Sequence, residues 1–140
     1  MTVEEYATVY QLVSVISGQL SPATSGVSVL AASLPPGSMT GAPKKRSCSL
    51  LTGIESDQPR GLYSGVLGYL DVGGGGDFSV VIRTAFKYGE EDVWRVGAGG
   101  AVTVLSEPEA EWEEMLAKRE SLLKVFGLAG SQYCYCVARS

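Results

Sequence analysis

The spacing of apolar positions changes character along the chain. From about Thr8 to Leu20, the residues Val9, Leu12, Val13, Ile16 and Leu20 recur at helical intervals, which predicts a helix with one face on a core. Ser21-Pro22 breaks that segment, a shorter apolar helix is expected from about Gly26 to Ala32, and Pro35-Pro36-Gly37 ends it. After the turn-rich Glu55-Ser56-Asp57-Gln58-Pro59-Arg60, strand-like stretches follow at about Leu62 to Asp71, Phe78 to Lys87 and Val93 to Val104. They predict an antiparallel meander. Gly73 to Gly76 with Asp77 would form its first hairpin loop, and Tyr88-Gly89-Glu90-Glu91-Asp92 its second. Ser106-Glu107-Pro108-Glu109 has capping-box spacing, so a helix should start there and run to about Phe126. Its buried stripe would be Trp112, Met115, Leu116, Leu122, Leu123 and Phe126. The expected class is α+β, an antiparallel sheet with packed helices. The stretch 127–140 has no usable period and stays unassigned.

Composition narrows the chemistry. A chain of 140 residues with 45% hydrophobic content is long enough for one domain with its own core. Its net charge of -4 gives no basic excess for nucleic acid. Nor does any long apolar run suggest a membrane span. The three cysteines Cys48, Cys134 and Cys136 form no even disulfide framework, and with no signal-like N-terminus a reducing, cytoplasmic setting fits best. With no histidine, acid-base or metal chemistry falls to carboxylates, Lys or Tyr, and oxygen ligation favours a hard cation such as magnesium.

Two segments could carry function. Gly37-Ser38-Met39-Thr40-Gly41-Ala42-Pro43 reads as a small-residue loop feeding a helix from Lys44-Lys45-Arg46 to Leu50-Leu51. Backbone amides and a helix start there would attract carboxylate or phosphate; an ordinary connecting loop is the alternative. Glu111, Glu114 and Lys118 fall on one edge of the last helix, at the rim of its buried stripe. Such a trio can hold a divalent cation and aim an ammonium at an anionic ligand, or it can be a solvated edge with ordinary ion pairing. The four-glycine run lacks the Gly-Lys-Ser/Thr of a phosphate loop and opens a strand, not a helix.

The motifs are more specific in order than singly. Thr8-Val9-Tyr10-Gln11-Leu12-Val13-Ser14 comes first, then Pro36-Gly37-Ser38-Met39-Thr40-Gly41-Ala42-Pro43-Lys44, then Arg60-Gly61-Leu62-Tyr63-Ser64-Gly65-Val66-Leu67-Gly68-Tyr69. Ile82-Arg83-Thr84-Ala85, Gly97-Ala98-Gly99-Gly100 and Ser106 to Lys118 with Glu111 and Glu114 complete the series. From about Tyr6 to Phe126 this order resembles the C-terminal third of the chorismate-utilising enzymes, the family of anthranilate, aminodeoxychorismate, isochorismate and salicylate synthases. The resemblance makes 1–126 a partial chorismate-binding domain with 127–140 as a tail.

Several roles follow from that resemblance alone. It implies that Glu111 and Glu114 belong to a Mg2+ site and that Lys118 engages a substrate carboxylate. Tyr63 and Arg83 would bind a chorismate carboxylate, Gly99 would approach one through its backbone, and Ser38, Thr40 and Gly41 would flank the substrate. Chorismate carries two carboxylates, and a bidentate Arg, a point-charge Lys, backbone amides and a metal suit their desolvation. Gln11 stands where anthranilate synthases typically carry His, so the pattern looks more like aminodeoxychorismate synthases. The implied reaction is amination of chorismate to 4-amino-4-deoxychorismate, for p-aminobenzoate and folate biosynthesis. Ammonia would come from a glutamine amidotransferase subunit or fused domain. An anthranilate synthase component I-like enzyme and a non-catalytic truncated fragment are the alternatives. The family's first magnesium-binding glutamate and the residue directing nucleophile choice lie upstream of anything present here, so the 140-residue chain is expected to be incomplete, inactive alone and marginally folded. Ala101 and Leu105 depart from the family's usual Gly and Asp.

Overall fold

The computed structural model describes residues 1–127. Its N-terminal part is a hairpin of β1 (Thr2–Glu5) and β2 (Tyr10–Val13), antiparallel with Thr2 opposite Val13 and Glu5 opposite Tyr10. The helix expected from Thr8 to Leu20 is therefore not formed. Helical spacing of apolar side chains stabilises a helix only when a packed face rewards it, and here Leu12, Ile16 and Leu20 are all exposed. The β-branched and aromatic residues Val9, Tyr10 and Val13 prefer extended backbone, and Thr2–Glu5 supplies a partner strand.

Three helices follow. Helix α1 (Gly26–Ser33) begins as expected, with the Ser25 hydroxyl accepting from the Ser28 amide at 3.1 Å. The predicted loop after it contains one helical turn, α2 (Gly37–Thr40), closed by the Gly41 amide donating to the Gly37 carbonyl at 2.7 Å. Gly41 has φ 82°, which turns the chain into α3 (Lys44–Ile54).

The expected meander is divided. Strands β3 (Val66–Leu70) and β4 (Gly76–Val80) pair antiparallel, while β5 (Ala85–Phe86) and β6 (Arg95–Val96) form a separate two-stranded sheet. The break falls at Arg83, whose φ of 51° cannot continue a strand. The first hairpin turn sits two residues earlier than expected, because the Asp71 carboxylate accepts the Gly75 amide at 3.0 Å and leaves Gly76 and Asp77 in β4. The α+β class holds, as small antiparallel sheets with helices.

Helix α4 (Pro108–Leu123) continues into a 3-10 turn at Lys124–Phe126, so the expected end point holds. Its start does not use a capping box: Glu107 is the N-cap and makes no side-chain cap. Pro108 begins the helix without an amide to satisfy, and Glu109 and Glu111 favour its positive end. Of the expected stripe, Met115 and Leu123 are buried, whereas Trp112 is exposed and Phe126 packs on Trp94 at 5.3 Å between ring centroids.

Among the described residues the buried apolar set is small: Val81, Ala98, Met115 and Leu123, with Ser64 beside them. The chain exposes 11028 Å², against about 6,900 Å² for a compact monomer of its mass. Allowing at most about 2,100 Å² for residues 128–140 and about 6,400 Å² for a compact chain of the remaining mass, an excess of about 2,500 Å² remains. No helix among the described residues is long and apolar enough to cross a membrane. The expectations for Cys134, Cys136 and the tail beyond 127 lie outside the described residues.

Candidate functional site

Three of the predicted site residues, Tyr63, Glu111 and Lys118, meet the strip Gly97-Ala98-Gly99-Gly100, whose Ala98 is itself buried. A Cβ at Gly97 would lie 2.2 Å from Cγ of Tyr63, so the absence of a side chain is what seats that ring. A Cβ at Gly100 would lie 2.6 Å from Oε2 of Glu111. Lys118 donates from Nζ to the Gly99 carbonyl at 3.3 Å and pairs with Glu114 at 3.0 Å. Thus the strip gauges Tyr63 on one side and two turns of α4 on the other.

Tyr63 is half-buried, and burial raises its hydroxyl above the ordinary tyrosine value; the charges of Arg60 and Arg83 oppose that shift, and Glu55 adds to it. The phenol therefore stays protonated at neutral pH and can donate. Arg83 forms no ion pair or hydrogen bond among the described residues, and its φ of 51° places an exposed guanidinium on a backbone that non-glycine residues rarely adopt. Its charge acts on both Tyr63 and Glu114. The Glu114 carboxyl is lowered, first by the hydrogen bond and charge of Lys118, then with smaller contributions from neighbouring Glu111 and Arg83.

Glu111 is the most constrained carboxylate of the group. Its Oε1 accepts from the Ser106 hydroxyl at 3.0 Å, while Oε2 is buried without a hydrogen-bond partner among the described residues. A buried carboxylate oxygen with no donor is costly, and a hard cation would satisfy it. No group of three or more metal-ligating side chains occurs among the described residues. Magnesium is commonly held by one or two carboxylates with water and substrate oxygens completing its shell, so Glu111 and Glu114 fit it as a pair. When bound, such an ion would add a positive charge beside that of Lys118, which pairs with Glu114.

Not every predicted residue joins this cluster. Ser38 and Thr40 lie in α2, Thr40 donating to the Pro36 carbonyl at 3.3 Å, and Gly41 caps the turn. Their link to the cluster is Arg60, whose Nη1 donates to the Met39 carbonyl and the Ser64 hydroxyl, each at 3.0 Å. Gln11 lies on the exposed hairpin, where its side chain donates only to the Leu12 carbonyl, at 3.4 Å. Sequence reasoning missed Arg60, Glu55, Ser64 and Ser106 as members of the network. Arg60 stood inside a recognised motif, but no spacing rule announced its contacts.

A family model described as chorismate binding enzyme matches residues 1–124. The chain belongs to that family. The putative aminodeoxychorismate synthase of Schizosaccharomyces pombe is 54% identical over 125 residues, 89% of this chain and 17% of that protein. Aminodeoxychorismate synthase of Saccharomyces cerevisiae is 51% identical, covering 90% of this chain and 18% of that protein. Anthranilate synthase component 1 of Aquifex aeolicus is 36% identical over 129 residues, 92% of this chain and 26% of that protein. The chain therefore spans about a sixth of the length of the two yeast relatives. No solved structure matches it.

Proposed function

We propose that this chain contributes the carboxylate-gripping and part of the metal-binding equipment of a magnesium-dependent aminodeoxychorismate synthase. The observation that carries the reading is that Tyr63, Glu111 and Lys118 meet at the Gly97 to Gly100 strip, with Glu114 paired to Lys118 and the charge of Arg83 acting on both Tyr63 and Glu114. Arg83 and the Tyr63 hydroxyl would take one substrate carboxylate, the first as a fork and the second as a donor. Lys118 and the Gly99 backbone would meet the other, while Glu111 and Glu114 hold Mg2+. Ser38, Thr40 and Gly41 would close the substrate's flank. Residues 1–126 act in this reading as part of a chorismate-binding domain, with 127–140 outside it.

The reaction is displacement of the ring 4-hydroxyl of chorismate by ammonia, with retention of the enolpyruvyl group, giving 4-amino-4-deoxychorismate for p-aminobenzoate and folate synthesis. A glutamine amidotransferase subunit or fused domain supplies the ammonia, and the setting is cytoplasmic. The names of the two yeast relatives support amination, and Gln11 agrees with them.

Titration calorimetry of the full chain with chorismate, with and without Mg2+, tests the reading. Magnesium-dependent binding that is lost in Arg83→Met and Glu111→Gln is the expected result. Absence of any chorismate binding, or binding indifferent to both substitutions, would overturn the assignment of these residues. The chain alone is expected to be inactive; if ammonium salt nevertheless drives turnover, fluorescent anthranilate as the product would move the chain to the anthranilate synthase branch.

A further inference from the structure

Arg60 stands outside the residues assigned above, yet its guanidinium hydrogen-bonds to three other residues. Its Nε donates to Glu55 Oε2 at 2.9 Å and its Nη2 to Glu55 Oε1, a fork on a carboxylate at the C-terminal end of α3. Its Nη1 reaches two further acceptors at 3.0 Å, the Met39 carbonyl in α2 and the Ser64 hydroxyl. The guanidinium thereby ties two near neighbours in sequence, Glu55 and Ser64, to Met39, which is 21 residues away. Arg60, Glu55, Ser64 and Thr40 also share the wall of one cavity of about 360 Å³.

What lies at each end of the tie matters. On one side, Met39 sits between Ser38 and Thr40 in the small-residue turn. On the other, Ser64 follows Tyr63, is buried, and holds φ 64°. Its amide donates to the Val81 carbonyl at 3.0 Å, and the Val81 amide donates to the Gly65 carbonyl at 2.9 Å. Arg83 begins two residues later with its own left-handed backbone. A serine has no intrinsic reason to stay at such a φ, so tertiary contacts must hold it there.

We infer that Arg60 is a positioning residue: braced by Glu55, it locks the Ser38 to Gly41 turn and the Tyr63/Arg83 pair into one rigid unit. The inference rests on the proposed substrate role of those residues for its consequence, but not for its geometry. A lysine could supply the charge and one or two contacts, but not the planar fork that reaches three acceptor residues together.

Hydrogen exchange by NMR on the full chain tests the clamp. In Arg60→Lys, the amides of Gly41, Ser64 and Val81 should lose protection together, by tenfold or more, while the Glu111 amide in α4, which donates to Glu107 at 3.1 Å, is unmoved. Ser64→Ala removes one acceptor and leaves the arginine; under the clamp it still loosens Gly41, more than twenty residues away in sequence. Loosening confined to Ser64 and Val81 in that variant, or a uniform loss across α4 in Arg60→Lys, would overturn the inference. Chorismate affinity forms a second arm: Arg60→Lys should weaken it about tenfold without changing Mg2+ affinity. If the unsubstituted chain binds no chorismate, the substrate reading falls, and the exchange pattern alone still decides the clamp.

Discussion

The β1–β2 hairpin is richer in apolar residues than the glycine strip with α4, but only the strip and helix collect burial. In the hairpin, Val3, Tyr10 and Leu12 are each more than half exposed; around the strip, Ala98 and Met115 are almost fully buried. The hairpin is held by backbone pairing and by surface bonds such as Tyr6 to Glu4 at 2.6 Å. The strip is held by steric fit, with Tyr63 and Glu111 seated where side chains at Gly97 and Gly100 would stand. An apolar pattern thus becomes a core only where some other surface closes on it.

Substitutions can break or sharpen that contrast. Met115→Ala should have the largest effect, about 3 kcal/mol of stability by urea unfolding, because its side chain is only 3% exposed at the centre of the packed half. Gly97→Ala should follow, at about 2 kcal/mol, since the new methyl must push the Tyr63 ring or its own backbone aside. A shift of the Tyr63 near-UV signal should accompany it; an unchanged spectrum and midpoint would mean that the strip does not gauge the ring. A smaller effect concerns pH. Glu114 is held below its ordinary value of 4.5 chiefly by Lys118, so the pair stabilises the fold above that pH. The contribution is lost as pH falls through the lowered folded value. Comparing urea midpoints at pH 6 and pH 3, Lys118→Met should reduce the acid-side loss slightly, and salt should mask part of the difference because the Glu114 carboxylate is exposed. Leu12→Ala should change stability by less than about 0.5 kcal/mol. A large loss there would show that the hairpin is packed after all.

The same contrast explains what was legible from sequence. Helices α1 and α4 were readable because proline punctuation and local charge agree with the backbone near Gly26, Pro35 and Pro108. The hairpin was not, because the spacing of Val9, Leu12, Val13 and Ile16 suits a helix that has no face to pack against. The meander failed at Arg83 for a similar reason: nothing in Ile82-Arg83-Thr84 announces φ 51°. Within the site, the Glu111, Glu114 and Lys118 edge followed from helical geometry, and the Glu114 to Lys118 pair spans one turn of it, as ordinary ion pairing on a helix edge also would. Ser106 was read as a cap, but its hydroxyl donates to the Glu111 carboxylate and accepts the Thr103 amide. Long-range ties such as Arg60 to Met39 leave no periodic trace, so only the folded arrangement reveals them.

The excess of exposed surface bears on how the chain responds to heat. Denaturant sensitivity and the heat-capacity increment both scale with the area uncovered on unfolding. A compact chain of this length would have an increment of about 1.7 to 2.1 kcal/mol/K, and here much of that area is already in water. Calorimetry should therefore find a broad, shallow transition, and a stability curve flat enough that cooling changes little.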